Sequence, residues 1–461
     1  MYNTQIQGVN MGRTEDIIAK IKKSNCTTDA TFFQAVEEVV DSIKPVLDSD
    51  PIYSQHSILE RLTTPDREFK FKVVWMDDNQ NVQVNTGYRV QFNNALGPYK
   101  GGLRFHPSVN SGILKFLGFE QIFKNSLTGL PIGGGKGGSD FNPKGKSDFE
   151  IMRFCSAYMT ELHKYIGPRI DIPAGDIGVG AREIGYLFGE YKKVTSSYEG
   201  VLTGKPFMFG GSLMRPEATG YGCVYFTDEM LKYANKDGFK DRICTVSGAG
   251  NVAIHTIEKL YALGAKPVTA TDSKGCIYDS RGIDLELLKE LKFKRRVSLE
   301  EYCKTHTTAI YTKVEDYPDG GHEVWNIPCD CAFPCATQNE LTKIDAEHLI
   351  ENGCISVSEG ANMPSTPEAI ELLQQNNILF APAKAANAGG VAVSEFEMSQ
   401  NASMSRWTYE KVDSILEKTM RSICKRVHLT AQDYGVEGNY VDGANIAGFK
   451  RVADAMIAEG I

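Results

Sequence analysis

A glycine-rich turn between a β-prone run and a helical run constrains the fold of the second half of the chain. Ile243–Val246 leads into Ser247-Gly-Ala-Gly-Asn-Val-Ala253, a GxGxxA pattern, and the apolar helical run that follows stops at Gly264. A second β-prone run, Pro267–Asp272, ends in an acid about 20 residues beyond the last glycine of the pattern. Strand, turn, helix and strand in this order predict a Rossmann-type α/β unit that binds a dinucleotide.

The expected dinucleotide contacts follow from the geometry of such a turn. Glycines let a pyrophosphate approach the backbone, and the N–H groups and dipole of the helix N-terminus favour anions. The candidate cofactor-binding residues of the turn are Ser247, Gly248, Gly250, Asn251 and Val252. Three later apolar runs, Cys331–Phe333, Ile355–Val357 and Ile378–Ala381, are expected to be further strands of the same sheet.

The charges near the expected adenosine ribose bear on which nicotinamide dinucleotide is bound. Asp272 alone favours NAD, because a carboxylate repels the 2′-phosphate of NADP. Ser273 and Lys274 follow it directly, and Lys292-Phe-Lys-Arg-Arg296 offers more positive charge. The alternative for this later segment is a solvated helix end. Asp272, Ser273 and Lys274 are therefore candidate cofactor-binding residues, and the residues alone leave both NADP and NAD open.

A second glycine-rich segment surrounds a single amine in the first half of the chain. Lys136 lies inside Leu130-Pro-Ile-Gly-Gly-Gly-Lys-Gly-Gly-Ser-Asp-Phe-Asn142, which contains five glycines. Glycine runs lose conformational entropy on folding, so they persist where side chains would block a close approach of the backbone. Lys136 is therefore the leading candidate for a chemical residue, and the alternative is a flexible surface turn with a solvated lysine.

Two other lysines and an aspartate lie in similar settings. Lys100 precedes two glycines, and Lys124 lies near the end of an almost wholly apolar helical run, with Gln121 on the same face. Asp176 is at the centre of Asp171-Ile-Pro-Ala-Gly-Asp-Ile-Gly-Val-Gly180. Three amines and one carboxylate in such settings suggest a site for a dianionic substrate, whereas the alternative for Lys100 and Lys124 is an ordinary lysine with a solvated amine.

A cluster of this kind implies a definite chemistry. Neighbouring positive charges and desolvation both favour the neutral amine, so one of the three lysines is expected to titrate near physiological pH and exchange protons. The other two would stay charged and hold carboxylates. The aspartate would move protons to and from nitrogen or water as a carbonyl becomes an imine.

Several long motifs resemble those of the hexameric-type glutamate dehydrogenases, in particular the NADP-preferring ones. The resemblance spans about Ser57 to Ile461. It is carried by Tyr88-Arg-Val-Gln-Phe-Asn-Asn-Ala-Leu-Gly-Pro-Tyr-Lys100, the Lys136 segment, Pro173-Ala-Gly-Asp176, Arg215-Pro-Glu-Ala-Thr-Gly-Tyr-Gly222 and Asn387-Ala-Gly-Gly-Val-Ala-Val-Ser394. It implies a homohexameric enzyme that reductively aminates 2-oxoglutarate with ammonium to L-glutamate, and the reverse, with NADP rather than NAD as its cofactor.

The resemblance also implies roles for individual residues. Lys136 would be the catalytic lysine and Asp176 the catalytic carboxylate. Lys124 and Gln121 would hold the α-carboxylate end of the substrate, and Lys100 and Ser394 would receive its side-chain carboxylate. The remaining residues implied in the site are Gly175, Arg215, Asn387 and Val391 for the substrate and Thr219 for the cofactor.

A length of 461 residues favours two domains. We expect an α/β fold in which an N-terminal α/β substrate-binding and oligomerisation domain spans residues 1–210 and is joined by a C-terminal helix over 436–461. A Rossmann-type dinucleotide-binding domain is expected over residues 211–435, across a cleft. The segment before Pro51 reads as helical, and the resemblance implies that it packs at a subunit interface.

Charge and composition disfavour several other classes. A net charge of -8 and a pI near 5.6 disfavour a nucleic-acid-binding protein. No apolar run approaches the roughly 18 residues of a transmembrane span, and residues 1–11 lack a secretory pattern, so no membrane partner and a cytoplasmic location are expected. Eleven irregularly spaced cysteines indicate reduced thiols. Cys329-Asp-Cys-Ala-Phe-Pro-Cys335 lacks a second CxxC-type pair, so no metal is expected, with a thiolate metal site as the alternative.

Two other functions fit parts of the pattern. A branched-chain or aromatic amino-acid dehydrogenase shares the lysine and aspartate but lines its side-chain pocket with apolar residues, whereas Lys100 and Ser394 match the carboxylate-binding pattern. A non-catalytic dinucleotide sensor is expected to lose Lys136 or Asp176, and both are present. Glutamate dehydrogenase is therefore the expected activity.

Overall fold

The computed structural model describes residues 30–460, which divide into two compact units. Unit 1 runs to Leu213 and also contains Ser394–Trp407 and the chain from Asn445 onwards. Unit 2 contains Met214–Val393 and Thr408–Ala444. The chain thus returns to unit 1 twice rather than once, and its final return begins at Asn445 rather than at residue 436. The segment expected to be helical is a helix over Ala30–Ser49, and its residues 1–29 lie outside the described residues.

Unit 1 is built on a five-stranded sheet. Its strands are β1 (Arg67–Met76), β2 (Val82–Asn93), β3 (Tyr99–Phe105), β4 (Gly134–Ser139) and β5 (Asp171–Gly175). Its helices before Leu213 are α1 (Ala30–Ser49), α2 (Ile52–Gln55), α3 (Ile58–Leu62), α4 (Ser111–Leu127), α5 (Asp148–Leu162) and α6 (Ala181–Thr195), with a 3-10 turn at Phe207–Phe209.

The sheet of unit 1 is mixed, with strand order β1-β2-β4-β3-β5. β2 pairs antiparallel with both β1 and β4, and β3 runs parallel to both β4 and β5. Pro173 lies on the edge strand β5. An edge strand tolerates proline, because it has no second neighbouring strand to which a backbone N–H would have to donate. The expectation of an α/β fold is confirmed.

The glycine run around Lys136 forms strand β4, and every residue of that strand is buried. A side chain at Gly134 would lie 2.6 Å from Ile122 of helix α4, and one at Gly137 would lie 2.8 Å from Leu103 of strand β3. The glycines therefore allow α4 and β3 to approach the strand closely. The alternative of a flexible surface turn is wrong.

Helix α4 packs its apolar residues into the interior, as the sequence predicts. Asn110 caps it, because its side chain accepts a hydrogen bond from the backbone N–H of Ile113 at 3.0 Å. Leu114, Phe119 and Phe123 are almost completely buried. The helix therefore has a fixed position against the sheet, and it carries Gln121 and Lys124 with it.

A completely buried ion pair ties three strands of this sheet together. Arg89 of β2 donates to both carboxylate oxygens of Asp171 on β5, and its Nη1 donates to the carbonyl oxygen of Gly101 on β3 at 3.1 Å. Gln91 donates to the same carboxylate at 3.1 Å. Both charged side chains are 0% exposed. Because the hydrogen bonds satisfy both charges, the pair fixes the register of the strands that surround β4.

Unit 2 contains the second set of strands and most of the short helices. Its strands are β6 (Ile243–Val246), β7 (Lys266–Pro267), β8 (Thr269–Asp272), β9 (Gly275–Tyr278), β10 (Ile310–Lys313), β11 (Cys331–Phe333), β12 (Ser356–Ser358) and β13 (Leu379–Ala381). Its helices are α7 (Ala218–Tyr233), α8 (Asn251–Ala262), α9 (Leu285–Lys289), α10 (Tyr302–Thr305), α11 (Glu323–Asn326), α12 (Lys343–Glu351), α13 (Pro367–Gln375), α14 (Ala383–Ala386) and α16 (Tyr409–Asp433).

Two helices are shared between the units, and three helical turns complete the secondary structure. Helix α15 (Gly389–Ala402) begins in unit 2 and continues in unit 1, as does α17 (Tyr440–Ala458). A π-helical turn spans Glu290–Arg295, and 3-10 turns span Leu299–Glu301 and Val314–Asp316.

The main sheet of unit 2 is parallel, with order β13-β12-β11-β6-β7. The three later runs expected as strands are present as β11, β12 and β13, with small shifts of their ends. The run Pro267–Asp272 is instead split at Val268 into β7 and β8, because β8 leaves the parallel sheet to pair antiparallel with β9. With β10 these strands form a separate three-stranded sheet that the sequence analysis did not predict.

The cysteines of unit 2 behave as small apolar side chains. Cys329, Cys331 and Cys354 are buried, and Thr245 donates to the sulfur of Cys329 at 3.2 Å. Across residues 30–460, no group of three or more histidine, cysteine or acidic side chains is arranged to hold a metal ion. Within the same range, no helix is long and apolar enough to cross a membrane.

Asp171→Asn is expected to destabilise unit 1 strongly. The substitution leaves the Arg89 guanidinium buried without an opposite charge, which typically lowers the free energy of unfolding by about 3–5 kcal/mol. Urea unfolding followed by tryptophan fluorescence measures the shift of the midpoint. Glu161→Gln is the control, because it breaks a half-exposed pair with Lys164 of a kind worth about 0–1 kcal/mol. Equal midpoints for the two variants would contradict the assignment.

Candidate active site

Lys136 and Asp176 form an ion pair in unit 1. The Lys136 ammonium nitrogen lies 2.9 Å from Oδ2 of Asp176, and the two side chains are 8% and 17% exposed. Lys136 comes from strand β4, and Asp176 directly follows strand β5. The structure therefore places the two residues expected to be catalytic in direct contact.

A glycine on the intervening strand makes this contact possible. Strand β3 lies between β4 and β5, and a side chain at Gly102 would lie 2.7 Å from the carbonyl oxygen of Gly175 and 2.9 Å from Cβ of Asp176. Any larger residue at this position would displace the carboxylate. Gly175, expected in the substrate pocket, is thus a neighbour of the lysine and aspartate pair.

Burial and charge act in opposite directions on the two members of the pair. Burial lowers the pKa of Lys136 below the ordinary lysine value, although the Asp176 carboxylate raises it. Burial alone would raise the pKa of Asp176, but the charges of Lys136 and Arg104 outweigh it and hold that pKa below the usual aspartate value. The site therefore contains an ionised carboxylate beside an amine that loses its proton more readily than an exposed lysine.

Arg104 is a member of this site that sequence reasoning missed. Its Nε donates to the same oxygen of Asp176 at 2.9 Å, and its charge also lowers the pKa of Lys136. The alternation of side chains along β3 could have indicated this residue, because residues two and four positions apart on a strand share a face. This periodicity places Arg104 on the same face of β3 as Gly102, whose missing side chain leaves room for Asp176.

Lys100 is buried in unit 1 and makes a specific polar contact. The side chain is 1% exposed, and its amine donates to the hydroxyl of Thr203 at 2.8 Å. Asn125 donates to the backbone oxygen of Lys100 at 3.1 Å, and Gln121 donates to Asn125 at 2.6 Å. The alternative of a solvated lysine is wrong for Lys100, and a hydrogen-bonded chain links this residue to Gln121.

Lys124 and Ser394 occupy different positions within unit 1. Lys124 is half-buried in the last turn of α4, on the same helix as Gln121. Ser394 is 1% exposed and lies in the part of α15 that belongs to unit 1. The residues expected to bind the substrate in this unit are therefore distributed over β3, α4, α15 and the end of β5.

The glycine-rich turn of unit 2 has the geometry expected of a dinucleotide-binding turn. It joins β6 to α8, and Gly248 has a φ of +86°, a conformation that favours glycine. Gly250 is the N-cap of α8 and supplies no side-chain hydrogen bond to the helix. No atom of the described residues beyond the adjoining ones lies within 4 Å of where a side chain at Gly250 would begin. The helix N-terminus, with Asn251 and Val252 in its first turn, is thus open to an anion.

Ser247 and Gly248 are fixed by neighbouring strands. Ser247 accepts a hydrogen bond from the backbone N–H of Cys335 at 2.8 Å. The N–H of Gly248 donates to Thr271 at 2.7 Å, and the Gly248 oxygen accepts from the N–H of Thr271 at 3.2 Å. The turn therefore holds its conformation through contacts with the loop after β11 and with β8.

The carboxylate of Asp272 is engaged by its own chain. The backbone N–H of Lys274 donates to one oxygen at 3.0 Å, while Leu299 N–H and the Lys292 amine donate to the other at 3.0 and 3.1 Å. Burial alone would raise the pKa of Asp272, but these donors outweigh it and hold the pKa below its usual value. Ser273 and Lys274 are exposed. The negative charge is therefore partly neutralised by Lys292, for which the alternative of a solvated helix end is wrong.

Arg215, Thr219 and Asn387 lie in unit 2. A side chain at Gly390 would lie 2.7 Å from the hydroxyl of Thr219 and 3.5 Å from Nη1 of Arg215, so these two residues are neighbours at the start of α15. Asn387 donates through its amide nitrogen to the backbone oxygen of Ala361 at 3.0 Å.

The amide oxygen of Asn387 differs from its amide nitrogen in having no observed partner within residues 30–460. It is buried and has no hydrogen-bond partner among the described residues. A buried acceptor left unsatisfied is unfavourable, so such atoms commonly bind a ligand or an ordered water. Val391, half-buried, lies one turn further along the chain.

Two family models match the chain over regions that correspond to these two sites. One is described as Glu/Leu/Phe/Val dehydrogenase, dimerisation domain, and matches residues 65–193. The other is described as Glutamate/Leucine/Phenylalanine/Valine dehydrogenase and matches residues 210–460. The chain belongs to the Glu/Leu/Phe/Val dehydrogenase family.

Individual relatives agree with the family models. The chain is 60% identical over 430 residues to the NADP-specific glutamate dehydrogenase of Helicobacter pylori (strain J99), covering 93% of this chain and 96% of the relative. It is 54% identical over 436 residues to the NADP-specific glutamate dehydrogenase of Escherichia coli (strain K12), covering 93% and 95%. The solved structure of Plasmodium falciparum glutamate dehydrogenase matches with a TM-score of 0.94 and 49% identity, covering 99% of this chain and 97% of that one.

The two matched regions of this dehydrogenase contain different parts of the candidate site. Residues 65–193 include Lys100, Lys124, Lys136 and Asp176, which all lie in unit 1. Residues 210–460 include the glycine-rich turn and Asp272 as well as Arg215, Asn387 and Ser394. Thr203, the partner of Lys100, lies between the two regions, and sequence reasoning gave it no role.

Lys136→Met tests the lowered lysine pKa through the pH dependence of stability. Between the pKa of the folded-state amine and 10.5, the ordinary lysine value, the unfolded chain binds a proton that the folded chain lacks. The free energy of unfolding therefore rises with pH in this window, and the substitution removes that contribution. The stability of the wild type relative to Lys136→Met is expected to increase with pH on the alkaline side of the folded-state pKa, up to 10.5, as measured by thermal unfolding in a pH series.

Lys193→Met is the control for this experiment, because its side chain is 76% exposed. Its stability relative to the wild type is expected to be nearly flat over the same pH range. Equally steep curves for the two variants would show that Lys136 does not titrate abnormally.

Proposed function

We propose that this dehydrogenase is an NADP-dependent glutamate dehydrogenase that interconverts 2-oxoglutarate, ammonium, NADPH and a proton with L-glutamate, NADP⁺ and water. The observation that carries the proposal is the buried contact of Lys136 with Asp176. Relatives that this chain matches over more than nine tenths of their own length are named NADP-specific glutamate dehydrogenases. The match to a dimerisation domain supports self-association. A homohexamer in the cytoplasm is the assembly and location that we propose.

The proposed substrate contacts separate the two carboxylates of 2-oxoglutarate. Lys124 and Gln121 hold the α-carboxylate end, and Lys100 and Ser394 receive the side-chain carboxylate. The other substrate contacts that we propose are the backbone at Gly175 in unit 1 and Arg215, Asn387 and Val391 in unit 2. The burial of Lys100 and its hydrogen bond to Thr203 support this division, since they hold the amine in one position within unit 1.

Lys136 and Asp176 carry the proposed proton transfers. As ammonia forms its bond to C2 of the substrate, Asp176 accepts a proton from the nitrogen. Lys136 donates a proton to the carbonyl oxygen, which becomes a hydroxyl on C2. The proton held by Asp176 then passes to this hydroxyl, which leaves C2 as water as the C2–N double bond forms, and Lys136 regains a proton from solvent. Arg104 keeps Asp176 ionised and ready to accept the next proton.

The residues of unit 2 fit NADP. The open N-terminus of α8 suits the pyrophosphate, and Thr219 with Ser247, Gly248, Gly250, Asn251 and Val252 would hold it. The Lys292 contact reduces the repulsion between Asp272 and a 2′-phosphate, and the exposed Ser273 and Lys274 would bind that phosphate. When bound, NADPH supplies the hydride that reduces C2 of the imine.

One assay decides between this function and its alternatives. NADPH oxidation, followed at the nicotinamide absorbance band with 2-oxoglutarate and ammonium, should proceed and should depend on all three compounds. Higher activity with the oxo acid of leucine than with 2-oxoglutarate would favour a branched-chain dehydrogenase. No activity with any oxo acid would favour a non-catalytic dinucleotide-binding protein.

Lys136→Ala is expected to abolish turnover while leaving NADPH binding intact. The substitution removes the proton donor at the substrate oxygen, whereas the proposed cofactor contacts lie in unit 2. A loss in kcat of at least about a thousandfold is expected, in line with the loss of a group that acts in the transition state. NADPH binding is measured by fluorescence titration.

Lys164→Ala is a suitable control, since that lysine is half-exposed on unit 1 and pairs only locally with Glu161 among its described contacts. It should retain wild-type kcat. Near-normal turnover in Lys136→Ala would remove this lysine from the mechanism.

Lys274→Ala tests the proposed phosphate contact. Loss of one charge-assisted hydrogen bond should lower kcat/KM for NADPH by about tenfold. The value for NADH should change little, because NADH lacks the 2′-phosphate. Lys240→Ala, an exposed lysine before the amino end of β6, is the control. Equal losses with both cofactors would place Lys274 away from the phosphate, and a wild-type preference for NADH would overturn the cofactor assignment.

A further inference from the structure

A second buried ion pair lies in unit 1, outside the residues assigned to catalysis or binding. The Lys205 amine lies 2.7 Å from Oε1 of Glu397, and both side chains are 1% exposed. Glu397 belongs to the part of α15 in unit 1, and Lys205 belongs to the chain segment that follows α6. Burial of two opposite charges contributes little net stability by itself. The pair is therefore of interest for the chain conformation that it holds in place.

Glu397 holds a tight turn as well as the lysine. Its Oε2 accepts a hydrogen bond from the backbone N–H of Gly204 at 2.9 Å, and its Oε1 accepts from that of Lys205 at 3.3 Å. The Lys205 amine in turn donates to the backbone oxygen of Leu202. Gly204 has a φ of +84°, which favours glycine at this point. One carboxylate thus fixes the conformation of the turn Leu202–Lys205.

The residue inside this turn is the partner of Lys100. Thr203 is 0% exposed, and its hydroxyl accepts the hydrogen bond from the Lys100 amine at 2.8 Å. The backbone N–H of Thr203 donates to the oxygen of Pro173 on β5 at 3.1 Å. The position of the turn therefore helps to set where the Lys100 amine is held.

The same helix also carries Ser394. Ser394 and Glu397 are three residues apart on α15, so they lie on one helix face. Further along the helix, Gln400 donates to the hydroxyl of Ser212 at 2.9 Å, and Asn401 donates to the backbone oxygen of Gly210 at 2.7 Å. Helix α15 is thus attached to the segment from Leu202 to Ser212 at three successive points, of which the Glu397 contact is nearest to Ser394.

We propose that Glu397, with Lys205, is a positioning residue that sets the Lys100 amine and the Ser394 hydroxyl at the spacing required by a distal carboxylate. It makes the site selective for a 2-oxo diacid over a 2-oxo monoacid of the same length. The inference rests on the proposed function, because it takes Lys100 and Ser394 as the ligands of the side-chain carboxylate. Glu397 itself does not touch the substrate.

The test compares two substrates that differ only in the distal carboxylate, 2-oxoglutarate and 2-oxopentanoate. In Glu397→Gln, kcat/KM for 2-oxoglutarate is expected to fall by about tenfold to a hundredfold, mainly through KM, as when binding groups are misplaced by a fraction of an ångström or more. For 2-oxopentanoate, kcat/KM should change by less than about twofold, because no distal group is held. The KM for NADPH should be unchanged.

Glu395→Gln is the matched control on the same helix. Glu395 is also buried, and its carboxylate accepts a hydrogen bond from Ser399 at 2.9 Å. The control should show wild-type selectivity between the two oxo acids. A loss of selectivity as large in Glu395→Gln as in Glu397→Gln would overturn the proposal, because it would show a general disturbance of α15.

A double-mutant cycle separates a positioning role from a structural one. Lys100→Met should by itself lower kcat/KM for 2-oxoglutarate, and adding Glu397→Gln should then lower it no further, because both changes act on one subsite. Multiplicative losses, or equal losses with both oxo acids, would overturn the proposal. In that case the activity of the wild type with 2-oxoglutarate would still support the proposed function. A wild type that is inactive with 2-oxoglutarate would instead refute the function and this inference together.

Two further variants keep the test decisive if Glu397→Gln does not fold. Glu397→Gln combined with Lys205→Gln removes both buried charges, so neither is left unpaired. The single amide oxygen at position 397 replaces the two carboxylate oxygens that accept from the N–H groups of Gly204 and Lys205. Thr203→Val removes the Lys100 contact without breaking the ion pair. Both are expected to lose selectivity for the diacid. Wild-type selectivity in Thr203→Val would overturn the proposal.

Discussion

The chemistry that we propose for this chain depends on holding a lysine and an aspartate in contact where little water reaches them. Desolvation destabilises both charges, and a pair of this kind contributes little to the stability of the fold. Its value is chemical, since an amine with a lowered pKa beside an ionised carboxylate can exchange protons under ordinary conditions. The pair stays in place because Arg104 shares the Asp176 oxygen and because Arg89 and Asp171 fix the strands on either side of β4.

The two units use glycine for different physical reasons. In unit 1, the glycines of β3 and β4 remove side chains so that Lys136 can reach Asp176 and α4 can lie against the sheet. In unit 2, Gly248 adopts a positive φ and Gly250 leaves the N-terminus of α8 open. One set of glycines therefore brings protein groups together, whereas the other leaves space for a ligand. The first arrangement is complete within the chain, and the second is where we propose that the cofactor binds.

Much of the fold and part of the site could be predicted from the sequence. The almost wholly apolar run that contains Phe119 predicts the buried helix α4, and the short apolar runs of unit 2 predict strands β11 to β13, because burial determines each of them locally. The split at Val268 and the antiparallel strands β8 to β10 depend on which neighbour a strand pairs with, and no local pattern encodes that choice. Arg104, Thr203 and Glu397 were missed because their importance lies in contacts between distant parts of the chain. Periodicity could have suggested only the first of them.

The composition of strand β4 limits the transfer of the Lys136 segment to another protein. Apart from Lys136 and Ser139 it consists of glycine, so it buries almost no apolar area of its own and has little intrinsic preference for an extended conformation. Its shape is imposed by β2, β3 and α4. The lysine and its glycines therefore do not hold this conformation without their neighbours. Grafted as a short peptide onto a different scaffold, they would have neither a fixed backbone nor a dry environment, and the amine would behave like that of any solvated lysine.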